Sequence, residues 1–225
     1  NAEQLDLVRK AMDKHYKLIA DIDLLGYGPW TPLGLNPNTD NHFDGIPFTG
    51  TFDGNGHVIS NLTIFNNKSR LGLFSFIEGK EDEPIDKVYV RNLGIENIWI
   101  NSPSIDIGSL AGRVKNAKIS NVYVRIGFVE GSMSVGSLIG ELENSILENA
   151  FNENVMVKAN AGGGIIGEYR APLTDSGHIK NVYTIGAVES STQHEPSFGA
   201  IVGGLTLDRA PEVINSYWNS LCLSC

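Results

Sequence analysis

The feature that most constrains this 225-residue chain is a five-residue segment, Gly-x-(Leu/Ile)-x-Gly, that recurs along it. The segment occurs as GSLAG (108–112), GSLIG (136–140), GGIIG (163–167) and GAIVG (199–203), with a degenerate copy, GLFSF, at 72–76. Successive copies start 36, 28, 27 and 36 residues apart. Periods of this length are typical of proteins built from stacked repeats, so we expect an array of similar structural units.

A second repeated element is an asparagine that recurs between these segments among apolar and small residues. Its successive positions lie 31, 29, 28, 32 and 34 residues apart. The residues are Asn61, Asn92, Asn121, Asn149, Asn181 and Asn215. Because the two elements interleave along the chain, they indicate about six units of roughly 30 residues each.

This pattern predicts an all-β fold, a parallel β-helix (β-solenoid) of about six coils. Strands this short cannot bury an apolar face alone, so stability must come from stacking one coil on the next. Equivalent residues of stacked coils lie about 4.8 Å apart, close enough for equivalent asparagines to hydrogen-bond in a structural ladder. The aliphatic residues of the glycine segments are expected to fill the core; they are Leu110, Leu138, Ile165 and Ile201.

The composition agrees with short strands joined by tight turns, because the chain has 25 Gly and 21 Asn but only 19% charged residues. The net charge of −9 argues against nucleic acid as a partner, since an acidic surface repels phosphate. No apolar run approaches the roughly 20 residues of a membrane span. No signal peptide stands at the N-terminus, so we expect a chain that is cytosolic, already processed, or part of a longer protein.

The N-terminal segment differs from the repeats. Residues 2–13 place Leu5, Val8 and Met12 at helical spacing, and Asn1 with Gln4 fits a capping box. A strand is predicted over 16–24, followed by a polar loop. We therefore divide the chain into an N-terminal cap at 1–47, repeats at 48–219 and a C-terminal tail at 220–225. A cap has a physical purpose, because the uncovered end of a coil is an open sheet edge.

The glycine segments resemble the GLUG motif of bacterial surface proteins. Neighbouring pieces match this family as well, in the same order along the chain. They are ADIDL (20–24), WTPLG (30–34), FTGTFDGNGHVISNLTI (48–64), NVY (121–123 and 181–183) and INSYWN (214–219). The resemblance covers about residues 4–219. The departures are the 72–76 copy, which lacks the final glycine, and the two 36-residue intervals, which must carry longer loops.

The resemblance implies a parallel β-helix in a secreted or surface-anchored bacterial protein, such as a large adhesin. The family also occurs as a non-catalytic region of zinc immunoglobulin A proteases. It therefore implies an extracellular or cell-surface location, with the remainder of a larger surface protein as a partner.

The segment FDGNGH (52–57) permits two interpretations. Asp53 and His57 could serve as an acid and base in a carbohydrate-active cleft, although glycoside hydrolysis needs a second carboxylate that the sequence does not place. Alternatively, residues 53–56 form a tight turn that begins the first full coil.

The loop at 36–45 offers oxygen ligands at alternate positions, so a calcium site at Asp40 and Asp44 is considered alongside a plain solvated loop, which the sequence favours. His42 lies between them, but the twelfth position of an EF-hand loop would be Thr51 instead of Glu. The sequence predicts no other cofactor. Cys222 and Cys225 could form a local disulfide, and a metal site there would need two more ligands.

An aromatic residue follows four of the ladder asparagines by two positions. These residues are Tyr123, Phe151, Tyr183 and Tyr217. They are expected to form a column along the repeats, which could bind sugar rings if exposed or serve as core if buried.

Three functional hypotheses follow. The first is a non-enzymatic module that acts as an adhesive surface or structural stalk, with a host or matrix glycan or protein as its ligand. The second is a carbohydrate-active β-helix protein, either polysaccharide-cleaving or glycan-binding. The third is a fibre or matrix subunit in which chains associate end to end.

Overall fold

The structure is a computed structural model that describes residues 1–38, 44–172, 176–191, 197–206 and 211–219. It is mostly β structure with one short α-helix, α1 (Ala2–Asp6), at the N-terminus. Asn1 and Gln4 form the expected capping box, and the helix continues as a 3-10 turn over Leu7–Lys10. The helix is therefore shorter than the predicted 2–13, because the backbone leaves the helical region at Ala11. A second 3-10 turn spans Ile85–Lys87.

The strands are short except for three in the middle of the chain. In chain order they are β1 (His15–Lys17), β2 (Ile22–Asp23), β3 (Thr51–Asp53), β4 (Val58–Ser60), β5 (Thr63–Phe65), β6 (Phe74–Glu78), β7 (Tyr89–Asn101), β8 (Ile105–Ile107), β9 (Ala111–Lys115), β10 (Lys118–Glu130), β11 (Met133–Gly136), β12 (Ile139–Glu143), β13 (Ile146–Ala159), β14 (Ala161–Gly163), β15 (Ile166–Arg170), β16 (His178–Thr184), β17 (Val188–Ser190), β18 (Ser197–Gly199), β19 (Val202–Thr206), β20 (Glu212–Ile214) and β21 (Tyr217–Trp218). The single strand predicted over 16–24 is interrupted, since β1 and β2 are separate.

The strands form three parallel sheets. The long sheet has twelve strands and runs in the order β1-β3-β7-β10-β13-β16-β20, with β2, β4, β5, β17 and β21 alongside. The second sheet runs β18-β14-β11-β8, and the third runs β19-β15-β12-β9-β6. The predicted N-terminal cap contributes β1 and β2 to the long sheet.

Between residues 89 and 170 the chain passes through the three sheets in the same order three times. Each passage places its residues beside those one repeat away. Val122 pairs with Leu93 on one side and with Ala150 on the other, for example. In the third sheet the inward residues Ile77, Val114, Leu142 and Tyr169 lie in one row, and all four are fully buried. Apolar residues of all three sheets form one core cluster.

The three long strands β7, β10 and β13 are bent at two positions each. At these positions φ is positive, between 53° and 61°, which is left-handed backbone. The residues are Asn92 and Asn97 in β7, Asn121 and Ile126 in β10, and Asn149 and Asn154 in β13. Each bend inserts one residue, so the inward alternation resumes after it; in β10, Ile119, Val122, Val124 and Val129 are all buried. Asn suits these sites because it tolerates left-handed backbone better than most residues.

The glycine segments join the second sheet to the third, where the chain passes very close to its neighbours. A Cβ on Gly140 would lie 2.4 Å from backbone atoms of Asp106 and Ile107. The hydroxyl groups of Ser109 and Ser137 are fully buried and donate to carbonyl oxygens of the next repeat, Ser137 O at 2.5 Å and Gly164 O at 2.6 Å. Only glycine or a small residue fits these positions.

The two ends of the stack differ. At the N-terminal end, Leu5, Val8 and Met12 are buried against the core. At the C-terminal end, Leu205 pairs with the fully buried Tyr169 and yet is 55% exposed. Val213 pairs with the fully buried Ile179 and is 49% exposed. These two residues occupy core positions that no further layer covers in the part of the chain described.

No helix in the described ranges has the length and apolar character needed to cross a membrane.

We predict that Gly140→Ala destabilises the fold by about 3 kcal/mol, because the new methyl group meets backbone that cannot move away cheaply. Gly204→Ala is the matched control, since its nearest atoms lie 3.8 Å away, and it should change stability by less than about 1 kcal/mol. Urea unfolding followed by circular dichroism measures both. Equal midpoints for the two variants would show that the glycine segment is not tightly packed.

We also predict that Ile126→Asn stabilises the protein by about 1 kcal/mol. A β-branched residue with φ of 53° is strained, and Ile126 buries little surface because it is 54% exposed. The converse change, Asn154→Ile, places the same strain in the next repeat and should cost a similar amount. A lower melting temperature for Ile126→Asn would contradict this account.

Candidate functional site

The candidate site is a groove on the outer face of the long sheet, which we call the axial groove. It has a volume of about 500 Å³ and crosses β10, β13 and β16. Its lining residues are Asn121, Val122, Tyr123, Asn149, Ala150, Phe151, Asn181 and Tyr183. Six of these are the predicted ladder and column residues of three successive repeats, which the structure brings together in one place.

One wall of the axial groove is a row of amides. Asn121 Nδ2 donates to Asn92 Oδ1 at 3.0 Å, Asn149 Nδ2 to Asn121 Oδ1 at 2.9 Å, and Asn181 Nδ2 to Asn149 Oδ1 at 2.9 Å. The row begins at Asp53, whose Oδ1 accepts from Asn92 Nδ2 at 3.0 Å. The side chains of Asn121, Asn149 and Asn181 are exposed, so this ladder faces water.

The other wall is a row of aromatic rings. Tyr123 and Phe151 are stacked, with ring centroids 4.9 Å apart and planes within 3° of parallel. Tyr183 pairs with Phe151, and Tyr217 pairs with Tyr183, so the predicted column is continuous in register. Burial decreases along it: Tyr123 and Phe151 are half-buried, Tyr183 is 41% exposed and Tyr217 is 64% exposed. The column is therefore on the surface and is not part of the core.

Two members of the predicted ladder behave differently. Asn61 does not belong to it, because Ser60 pairs with Glu96 and this register places Asn61 beside Asn97, in the second row of bends. Its amide donates to Asp23 Oδ1 at 2.6 Å. Asn215 has the left-handed backbone of the ladder and lies in register with Asn181. No side-chain hydrogen bond joins these two residues, both of which are described.

A second asparagine ladder was not expected. Asn144 Nδ2 donates to Asn116 Oδ1 at 2.7 Å, and Asn116 Nδ2 donates to the Gly79 carbonyl at 3.3 Å. Asn116 is only 2% exposed, so this ladder satisfies polar groups inside a corner. The sequence carried a signal for it, since each asparagine follows the last glycine of its repeat segment by four residues.

Charged side chains border the axial groove beyond its aromatic wall. Arg125 bridges Glu96, at 3.2 Å, and Glu153, at 2.7 Å, across three repeats. Its guanidinium also lies 5.2 Å from the centre of the Tyr123 ring, and the Tyr123 hydroxyl donates to Glu96 at 2.9 Å. These contacts hold Tyr123 in place from the side away from the amide wall.

A second apolar row lies beyond those charges on the same face. Trp99 and Phe128 are in contact, with ring centroids 5.3 Å apart, and Met156 follows in register. Trp99 is 51% exposed. This row could not be predicted from the sequence, because the three side chains belong to different residue types.

The segment FDGNGH forms a turn. Asn55 N donates to Asp53 Oδ1 at 2.8 Å, and His57 N donates to the Gly54 carbonyl. Asp53 also accepts from Arg91 Nε at 3.0 Å, while His57 Nδ1 lies 2.9 Å from Asp21 Oδ1. Burial opposes ionisation of Asp53, but hydrogen bonds from Asn92, Asn55 and Arg91 together hold its pKa below the ordinary value. Asp53 and His57 thus have separate partners.

Part of the predicted calcium loop, including Asp40 and His42, lies outside the described residues. Asp44 is described, and its Oδ2 accepts from Asn36 Nδ2 at 3.2 Å. Cys222 and Cys225 also lie outside the described residues. Among the residues that are described, no three His, Cys, Asp or Glu side chains converge as a metal site.

A buried ionic cluster lies where the second and third sheets meet. Asp106 is 4% exposed and lies 4.0 Å from Arg70, and Glu141 is 3% exposed and lies 2.7 Å from Arg113. Arg170 reaches the second oxygen of Glu141 at 3.1 Å. Sequence reasoning missed this cluster, since its members come from different repeats and meet only across a corner.

Burial sets the ionisation of the two carboxyl groups in this cluster. Burial raises the pKa of Asp106 to about 7, the Glu141 carboxylate adds to this effect, and Arg70 opposes it. Burial also raises the pKa of Glu141, against the opposing influence of Arg113 and Arg170. Both carboxyl groups are covered by the chain.

A second cleft, of about 540 Å³, lies beneath the segment at 80–86. Its three lysines are already paired. Lys115 contacts Glu81 at 3.0 Å and Glu143 at 3.3 Å, Lys80 contacts Glu83 at 2.9 Å, and Lys118 contacts Glu148 at 2.8 Å. Because these charges neutralise one another, the cleft has no strong preference for a charged ligand.

We predict that Asp106→Asn stabilises the protein at pH 8 by on the order of 2–4 kcal/mol and has little effect near pH 4. The folded-state pKa of about 7 exceeds the ordinary 3.8, so the stability contributed by neutral Asp106 is complete below pH 3.8 and is lost as the pH rises through 7. Asparagine is neutral throughout and also accepts the positive φ of this position.

Urea unfolding of both proteins at pH 4, 6 and 8 measures this difference. Asp82→Asn, at an exposed site, is the control and should leave the pH dependence unchanged. A stability gain that is the same at pH 4 and pH 8 would show that Asp106 does not titrate in this range.

Among solved structures, the crystal structure of a candidate immunoglobulin A1 protease from Bacteroides ovatus is similar to this chain, with a TM-score of 0.68 at 21% sequence identity. The match covers 99% of this chain and 74% of that one. At this identity the likeness shows the fold alone. No protein-family profile and no curated protein matches the chain, so its resemblance to GLUG-motif proteins stays a prediction.

Proposed function

We propose that the chain is a parallel β-helix of GLUG-type repeats that serves as a non-enzymatic adhesive or structural module of a bacterial surface protein. The repeated order of the three sheets and the one-repeat register support the helical path. The name of the structural neighbour, an immunoglobulin A1 protease candidate, agrees with a region of a surface protein. On this proposal the module is extracellular, and the rest of a larger surface protein is its covalent partner.

The observation that carries the proposal is that equivalent side chains of successive repeats bind one another. Asn149 bonds to Asn121, Phe151 stacks on Tyr123, and Ser137 donates to the repeat that follows it. Contacts between neighbouring repeats stiffen the stack. Because the repeats are similar, the stack also displays equivalent side chains at regular intervals. Both properties suit a module that holds or displays a binding surface.

A carbohydrate-cleaving enzyme is the alternative. Asp53 is held by Arg91 and Asn92, and His57 is held by Asp21, so the two groups suggested by the sequence do not act on one point. Asp106 and Glu141, the carboxyl groups whose pKa burial raises, are 4% and 3% exposed. A substrate would have to displace the chain to reach them, which favours the non-enzymatic role.

End-to-end association is the second alternative. The helical end is covered by Leu5, Val8 and Met12, whereas Leu205 and Val213 leave apolar surface at the other end. A fibre made by joining opposite ends would require the helix to move.

We predict that the module extends in steps when it is pulled from residues 1 and 219. The register places equivalent residues 28 to 29 apart in the central repeats and 32 to 38 apart in the others. Each step should therefore release about 28 to 38 residues, or roughly 100–130 Å of extended chain. Single-molecule force spectroscopy with optical tweezers measures these steps.

Smooth extension without steps would contradict a rigid module built on neighbour contacts. Asn149→Ala, which forces a left-handed alanine into the ladder, should lower the force of the steps that include its repeat. Cleavage of a polysaccharide or of immunoglobulin A1 by the purified chain, abolished by Asp106→Asn, would establish the enzymatic alternative.

A further inference from the structure

The axial groove is uncharged in a chain with 17 basic and 26 acidic residues. All eight of its lining residues are neutral, and they come from three consecutive repeats. The rows on either side are charged, with Glu148 and Lys180 beyond the amide wall and Arg125 beyond the aromatic wall. A ligand that fits between these rows needs no net charge, so the groove favours a neutral molecule over an anion or a cation.

The amide wall retains hydrogen-bonding capacity. The amide of Asn149 donates once, to Asn121, and accepts once, from Asn181. A side-chain amide has two N–H donors and two acceptor lone pairs, so one of each remains at this position. The side chain is exposed, and a ligand with hydroxyl groups could use both.

The aromatic wall offers ring edges in place of ring faces. Phe151 covers one face of Tyr123, and the Arg125 guanidinium lies over the same Tyr123 ring. Tyr123 and Phe151 therefore form one apolar wall and are not separate platforms for sugar rings. An amide wall opposite an apolar wall matches a pyranose ring, which has a rim of hydroxyl groups and apolar C–H faces.

The spacing of the repeats sets the interval at which the groove offers binding groups along the stack. Neighbouring strands of a sheet lie about 4.8 Å apart, and the groove presents one amide and one aromatic side chain at each strand. A linear polysaccharide repeats its hydroxyl groups at a similar interval along its axis. We propose that the axial groove binds a neutral linear polysaccharide, laid along the stack with about one sugar residue for each repeat. This inference rests on the proposed adhesive function and names its ligand class.

The test measures binding of the purified chain to soluble xylan, hydroxyethyl cellulose and amylose by affinity electrophoresis and calorimetry. Polygalacturonate and heparin are the charged comparators. The groove variant is Asn121→Gly/Asn149→Gly/Asn181→Gly, in which glycine accepts the left-handed backbone while the amides are lost. The matched control is Asn97→Gly/Asn154→Gly, which removes exposed amides at the same kind of bend outside the groove.

We expect at least one neutral polysaccharide to bind, the groove variant to bind at least tenfold more weakly, and the control variant to bind like the wild type. Tyr183→Ala tests the aromatic wall without touching the ladder and should also weaken binding severalfold. Among oligosaccharides of the bound polymer, affinity should rise with length until about three to four residues and then level off, because the groove spans three repeats.

Absence of binding to every neutral polysaccharide, binding of the charged polymers alone, or equal affinities of the groove and control variants would each overturn the inference. Melting curves of the variants verify that they remain folded, and Tyr183→Ala provides an independent arm if the triple variant does not. Failure of glycan binding with stepwise extension intact would reject the ligand and keep the rigid module; loss of stepwise extension would reject the module itself.

Discussion

Parallel pairing between strands one repeat apart is the interaction on which the rest of the structure depends. It places each residue beside the equivalent residues of the neighbouring repeats, so that these side chains can interact with one another. An amide bonds to an amide, a ring stacks on a ring, and a hydroxyl group donates to a carbonyl oxygen. Because of this pairing, the number of residues between two bends cannot change without altering the rows of side chains. One extra residue between bends would move every later side chain out of its row.

Much of the fold could be predicted because the same residue types recur at the same positions of each repeat, where the backbone needs them. Glycine marks the close approach at Gly140, and asparagine marks left-handed backbone at Asn121 and Asn149. The error at Asn61 has a physical cause: the long strands contain two rows of left-handed bends, and the interval of 31 residues from Asn61 to Asn92 joins one row to the other. Spacing alone cannot tell these rows apart.

The candidate site was predictable in part. Tyr123, Phe151 and Tyr183 could be placed in one column from their distance to the asparagines, but whether that column faced the core or water depended on which side of the sheet the bends turned it. The ionic cluster at Asp106 and Glu141 was beyond reach, since it depends on two sheets meeting at a corner. At Ile126 the residue type does not indicate the left-handed bend, because isoleucine rarely adopts positive φ. The bend there follows only from the register with the neighbouring repeat.

The number of residues in a repeat has a consequence for what such a molecule is good for. About 28 residues advance the stack by one strand spacing, roughly 4.8 Å, whereas the same residues in an α-helix would span about 42 Å. Stacked repeats of this kind therefore gain little length for each residue that they use. The repeats gain breadth instead, because thirteen-residue strands laid side by side form a wide face on which equivalent side chains recur at each strand spacing.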